Sequence, residues 1–93
     1  MNERGLRIVY RVHAIRRMVE RGIREEDVRR VIEEGKEIES YRDDQPYPSR
    51  LLLGWAHGRP IHVVAAQAEY VIIVITVYEP DPQLWEPGFE RRK

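Results

Sequence analysis

Residues 13–23 read His-Ala-Ile-Arg-Arg-Met-Val-Glu-Arg-Gly-Ile, and His13, Arg17 and Arg21 recur at intervals of four. On a helix that spacing sets one imidazole and two guanidiniums on a single stripe. Guanidinium offers forked donors that match phosphate oxygens, and imidazole exchanges a proton near neutral pH. Ile15, Met18 and Val19 fall on a different arc and are expected to face the core. The stripe is a candidate phosphate site. A solvated cationic helix face that happens to carry a histidine is the plainer alternative.

A second group of candidates lies in the apolar second half of the chain. His62 sits inside the run Pro-Ile-His-Val-Val, where it is either a core histidine satisfied by a carbonyl or a proton carrier held on a rigid strand. Thr76 and Tyr78 point to one face near the end of the most apolar strand, just before Pro80. Whether His62 joins them depends on register. A two-residue turn at Ala68-Glu69 pairs Gln67 with Tyr70 and turns His62 away from Tyr78. A three-residue turn shifts the pairing by one and brings His62 onto the Tyr78 face.

No metal or cofactor is expected. His13, His57 and His62 show no ligand spacing on one element, and there is no cysteine. Asp43-Asp44 is the one adjacent acidic pair of interest, and a solvated turn explains it. No glycine-rich phosphate loop or nucleotide fingerprint is present.

These residues need elements to position them, and 93 residues suffice for one domain, expected to span 1–93. Val12–Arg21 and Glu25–Glu34 carry the period of helices, closed by Gly22 and Gly35 as left-handed caps. Arg7–Tyr10 is a short opening strand or an extended arm. Lys36–Arg42 reads as an edge strand, and residues 43–49 (Asp-Asp-Gln-Pro-Tyr-Pro-Ser) as a loop. Arg50–His57, Ile61–Gln67 and Tyr70–Glu79 read as strands, the last apolar on both faces and so central. Trp85 and Phe89 are possible docking anchors in a polar tail. The fold expected is α+β: two N-terminal helices packed on a four-stranded antiparallel sheet.

Charge adds one constraint. Sixteen basic and sixteen acidic residues cancel, yet residues 1–30 hold nine arginines against five acids, a net of +4. A basic first third on a neutral chain points to a local anion site rather than general nucleic-acid adhesion. No apolar run reaches membrane length, and the lack of cysteine suits an intracellular, cytoplasmic setting.

The motif His13-Ala14-x-x-Arg17-Met18-x-x-Arg21-Gly22-Ile23 resembles the domain-of-unknown-function 4258 family. So do Gly35, Tyr41, Pro46-Tyr47-Pro48, Leu53-Gly54, Gly58-Arg59-Pro60-Ile61-His62-Val63-Val64 and Ile75-Thr76-Val77-Tyr78-x-Pro80-x-x-x-x-Trp85. The likeness spans roughly residues 9–92. It implies kinship with RelE/HigB- and MqsR-like toxins of the barnase–EndoU–colicin–RelE fold, many of which are hydrolases that cleave RNA without metal. It also implies RNA as partner, including ribosome-associated mRNA, and a zinc-finger or helix-turn-helix antitoxin, with no membrane. One departure is Arg24, where a capping Ser or Thr is common; it costs the second helix a cap of about 1 kcal/mol.

The expected function is that of a toxin-like, metal-independent endoribonuclease of a toxin–antitoxin system. The alternative is a non-catalytic RNA- or protein-binding domain of the same fold. Cleavage would proceed by attack of a ribose 2′-hydroxyl on the adjacent phosphorus. The catalytic candidates are His13, Arg17, His62 and Tyr78: His13 or His62 as proton carrier, Arg17 on the phosphate, Tyr78 stacking on a base or donating to the phosphate. Arg21, Thr76 and Arg16 are the candidates for substrate binding.

Overall fold

The computed structural model describes residues 7–93. Strand β1 (Arg7–Tyr10) leads into helix α1 (Val12–Arg21) and helix α2 (Glu25–Glu34). Four strands follow: β2 (Lys36–Tyr41), β3 (Ser49–Ala56), β4 (Arg59–Ala68) and β5 (Val71–Tyr78). The sheet order is β1-β5-β4-β3-β2. The last four strands form an antiparallel meander, and β1 pairs parallel to β5 through Arg7↔Val71 to Tyr10↔Val74.

The expected four-stranded antiparallel sheet behind N-terminal helices is therefore wrong in two respects. The sheet is mixed and has five strands, and a strand precedes the helices. Parallel pairing requires a long crossover, and here everything from α1 to β4 supplies it. Four residues with little alternation give a weak local signal. The strand forms because β5 offers an open edge.

Both helices cover one face of the sheet. Ala14, Ile23, Val28 and Val31 pack there on Leu52, Ala56, Ile61, Val63, Val74 and Val77. Alternation along β4 and β5 sends the neighbours of these residues to the opposite, open face. On α1 the expected core side holds for Met18, which packs against the core, and fails for Ile15 and Val19. Ala14 is buried and Met18 half-buried, whereas Ile15 and Val19 are 48% and 78% exposed. The small Ala14 lets the helix approach β5 closely, and that contact, not the larger aliphatics, sets its rotation.

Two helix ends repay comparison. Gly22 adopts φ 65°, and its N–H reaches the carbonyls of Met18 and Val19, as a left-handed cap should. Gly35 does not: its φ is −74°. A Cβ there would lie 2.4 Å from the Val31 carbonyl oxygen and 2.8 Å from that of Leu53, so close backbone approach excludes a side chain. The cap missing at Arg24 is partly replaced by Asp27, whose carboxylate accepts the Arg24 N–H at 2.9 Å.

Residues after Pro80 fold back across the open face. Trp85 and Arg92 form an isolated antiparallel bridge, and the Lys93 N–H donates to the Leu84 carbonyl at 2.9 Å. Trp85 is buried edge-on against His62, with ring centroids 4.5 Å apart. Arg92 stacks over Trp85 at 4.7 Å and grips Glu39 through two bonds of 2.9 and 3.1 Å. This fork holds the Glu39 carboxyl below its ordinary range. The Tyr41 hydroxyl, its own pKa pushed up to about 12 by burial and by Glu39, donates to the same carboxylate.

Candidate functional site

A β-bulge decides where His62 points. The β4–β5 turn is Glu69-Tyr70, because Ala68 pairs with Val71. That register alone would set His62 opposite Val77, on the wrong parity. The shift between Val64 and Ala65 leaves Ile75 as the extra residue, and beyond it His62 pairs with Tyr78. Neither turn considered from the sequence gives this register; the bulge does. His62, Thr76 and Tyr78 consequently share the open face.

The stripe of α1 meets the end of β5 there. A cleft of about 400 Å³ is lined by His13, Arg17 and Arg21 from α1 and by Thr76 and Tyr78 from β5. Glu79, Asp81, Leu84 and Trp85 complete its rim. The His13 Nε2 lies 3.0 Å from the Thr76 hydroxyl, which fixes the ring against the sheet. The Arg17 pair with Glu20, at 3.3 Å, is exposed on both sides and holds the guanidinium weakly.

Arg59 joins the two elements that wall the cleft. It pairs with Glu79 at 3.0 Å and donates to the Arg21 and Gly22 carbonyls at 2.8 and 3.4 Å. One guanidinium thus ties the end of α1 to the end of β5 and offsets an acidic group at the rim. Arg16 does not join the cleft lining. One residue before Arg17, it is turned about 100° around the helix axis and is exposed.

His62 lies behind this surface and does not line it. It is 0% exposed, with its Nε2 2.9 Å from the Phe89 carbonyl and its Nδ1 3.1 Å from the Tyr78 hydroxyl. A carbonyl only accepts, so Nε2 carries the proton and Nδ1 accepts from Tyr78. Burial lowers the His62 pKa, against the Phe89 carbonyl that raises it, and keeps the ring neutral. Burial likewise raises the Tyr78 pKa and keeps its proton in place. Any contact of His62 with a substrate therefore runs through the Tyr78 hydroxyl.

The neutral, buried ring has a consequence for stability. An unfolded histidine gains a proton near pH 6.5, whereas folded His62 resists it. The unfolded state then binds more protons, so stability should fall as pH drops below 6.5, by at most about 1.4 kcal/mol per pH unit. The exposed His57 is a second imidazole beside a carboxylate, 3.3 Å from Asp27. Urea unfolding of His57→Gln between pH 7.5 and 5.5 isolates the effect. A flat profile in that variant would contradict a neutral His62.

Sequence reasoning missed the rim residues Glu79, Asp81 and Leu84, and the lock formed by Arg59. It flagged Trp85 as an anchor, which is where the tail seals His62. His57 and Asp43 do not line the cleft. Among the described residues no group of three or more His, Asp or Glu side chains could hold a metal ion. Nor is any described helix long and apolar enough to cross a membrane.

No curated protein and no solved structure matches the chain. A family model does, over residues 10–79, from the end of β1 to the residue after β5, and it takes in the α1 stripe, His62, Thr76 and Tyr78. The chain belongs to the DUF4258 family, a domain of unknown function.

Proposed function

We propose that the cleft is the active site of a metal-independent endoribonuclease of the toxin type, in line with the resemblance to RelE/HigB- and MqsR-like proteins. The observation that carries this reading is convergence: His13, Arg17, Arg21, Thr76 and Tyr78 come from two elements to line one cleft. Cleavage of an RNA strand needs a base for the 2′-hydroxyl, an acid for the leaving 5′-oxygen and donors for the phosphoryl oxygens. Arg17 and Arg21 supply the donors. Tyr78 takes the 2′-hydroxyl proton as it passes its own proton to the His62 Nδ1. His13, on the α1 side, protonates the leaving oxygen. The products are a 2′,3′-cyclic phosphate and a 5′-hydroxyl. The antitoxin partner is proposed on the same resemblance.

Purified protein should cleave single-stranded RNA in the presence of a chelator at the rate seen without it. Loss of cleavage in chelator, restored by a divalent ion, would overturn the metal-independent mechanism.

One feature favours the second reading, a non-catalytic binding domain. Val12, Ile15 and Val19 form an exposed apolar strip on α1, a surface that suits a protein partner. RNA binding, with or without cleavage, requires Arg17 at the phosphate, whereas a protein partner on the apolar strip does not. Arg17→Ala should weaken RNA binding and flatten the dependence of log affinity on log salt by about 0.7 for a single strand. An unchanged slope would move the binding surface off α1.

A further inference from the structure

A second cavity lies beside the cleft on the same open face. Its volume is about 360 Å³. Ala66, Ile73 and Ile75 make an apolar floor, and Tyr47 and Asp44 from the β2–β3 loop reach it. Ala66 pairs with Ile73 across β4 and β5, on the parity that carries Thr76 and Tyr78 after the bulge. The floor residue Ile75 immediately precedes Thr76 of the cleft, and Arg11, at the cavity edge, stands two residues before His13. The two cavities are thus neighbouring stations along one strand, one cationic and one apolar.

The cavity also carries its own chemistry. Tyr47 is 43% exposed, an aromatic ring on the loop that lines this cavity. Asp44 accepts a hydrogen bond from the Ser49 hydroxyl through one carboxylate oxygen, Oδ2. An ionised carboxylate is acceptor-only, so it selects a ligand edge that presents donors. Among the four RNA bases, guanine presents two adjacent donors, N1–H and N2–H, on one edge.

We infer that this cavity is a nucleobase subsite that prefers guanine, with Tyr47 stacking on the base, Asp44 accepting from its N1–H and N2–H edge, and the bulged Ile75 forming its floor. The inference rests on the proposed phosphate cleft for its place in the substrate, but the base subsite has its own readout. It also gives the bulge a second use: the extra residue that aligns His62 with Tyr78 is the one that lines the base pocket.

The test is equilibrium binding of guanosine, the four nucleoside 3′-monophosphates and inorganic phosphate to the whole chain. The guanosine monophosphate should bind tightest of the four. Tyr47→Ala should weaken guanosine and all four nucleotides by roughly tenfold or more, leave inorganic phosphate unchanged, and be rescued by Tyr47→Phe. Asp44→Asn should level the four nucleotides. Equal affinity of the wild-type chain for all four, or an unchanged affinity in Tyr47→Ala, would overturn the subsite. Failure of inorganic phosphate to bind, with guanosine still captured and lost in Tyr47→Ala, would sink the phosphate cleft and leave the base subsite standing.

Discussion

Replacing His13 with alanine should abolish RNA cleavage while leaving the fold intact. A positioned general acid contributes about a hundred- to ten-thousandfold in rate, and His13 is the one imidazole that lines the cleft. Its side chain is exposed, and its bond to Thr76 is exposed too. Truncation therefore removes no core contact, and the melting temperature should change little. Circular dichroism and thermal unfolding check the second half of that expectation; a cleavage time course checks the first. Full activity in His13→Ala would assign the leaving-group proton to some other residue.

Tyr78→Phe should cost about a hundredfold in rate, and here the stability control has a definite sign. The hydroxyl is the partner of the buried His62 Nδ1 at 3.1 Å, so phenylalanine leaves a buried acceptor unpaired. That costs about 1–3 kcal/mol and should lower the melting temperature without unfolding the protein at room temperature. Trp85, against the His62 ring, reports on the seal by its emission. A variant that melts earlier yet cleaves at full rate would reduce Tyr78 to a structural tie for His62. One that melts as wild type would contradict the hydrogen bond itself.

The sequence carried the local chemistry well and the long-range pairing poorly. The four-residue recurrence of His13, Arg17 and Arg21 needs only a helix to become a surface, and the helix is there. Gly22 announced its left-handed cap through residue type alone. The parity of His62 was illegible, because it turns on a bulge at Ile75, and in Val-Ile-Ile-Val-Ile-Thr-Val every residue would serve as the extra one. The strand status of Arg7–Tyr10 depends on an edge of β5 supplied more than sixty residues later. The rotation of α1 went astray for a related reason. Hydrophobic size favoured Ile15 and Val19 as the inner face, whereas the tight approach to β5 selected Ala14. The tail seal was half legible: Trp85 and Phe89 stood out as anchors, but only the fold reveals that Arg92, held by Glu39, stacks on Trp85 over His62, and that the Phe89 carbonyl caps the His62 ring.

The most direct measurement is the chemistry of the ends. RNA incubated with the purified chain in chelator is digested, and the termini of the fragments are identified by mass. Transfer through the 2′-hydroxyl at the cleft gives fragments ending in a 2′,3′-cyclic phosphate and beginning with a 5′-hydroxyl. Fragments carrying a 3′-hydroxyl and a 5′-phosphate, or RNA recovered intact, would contradict it.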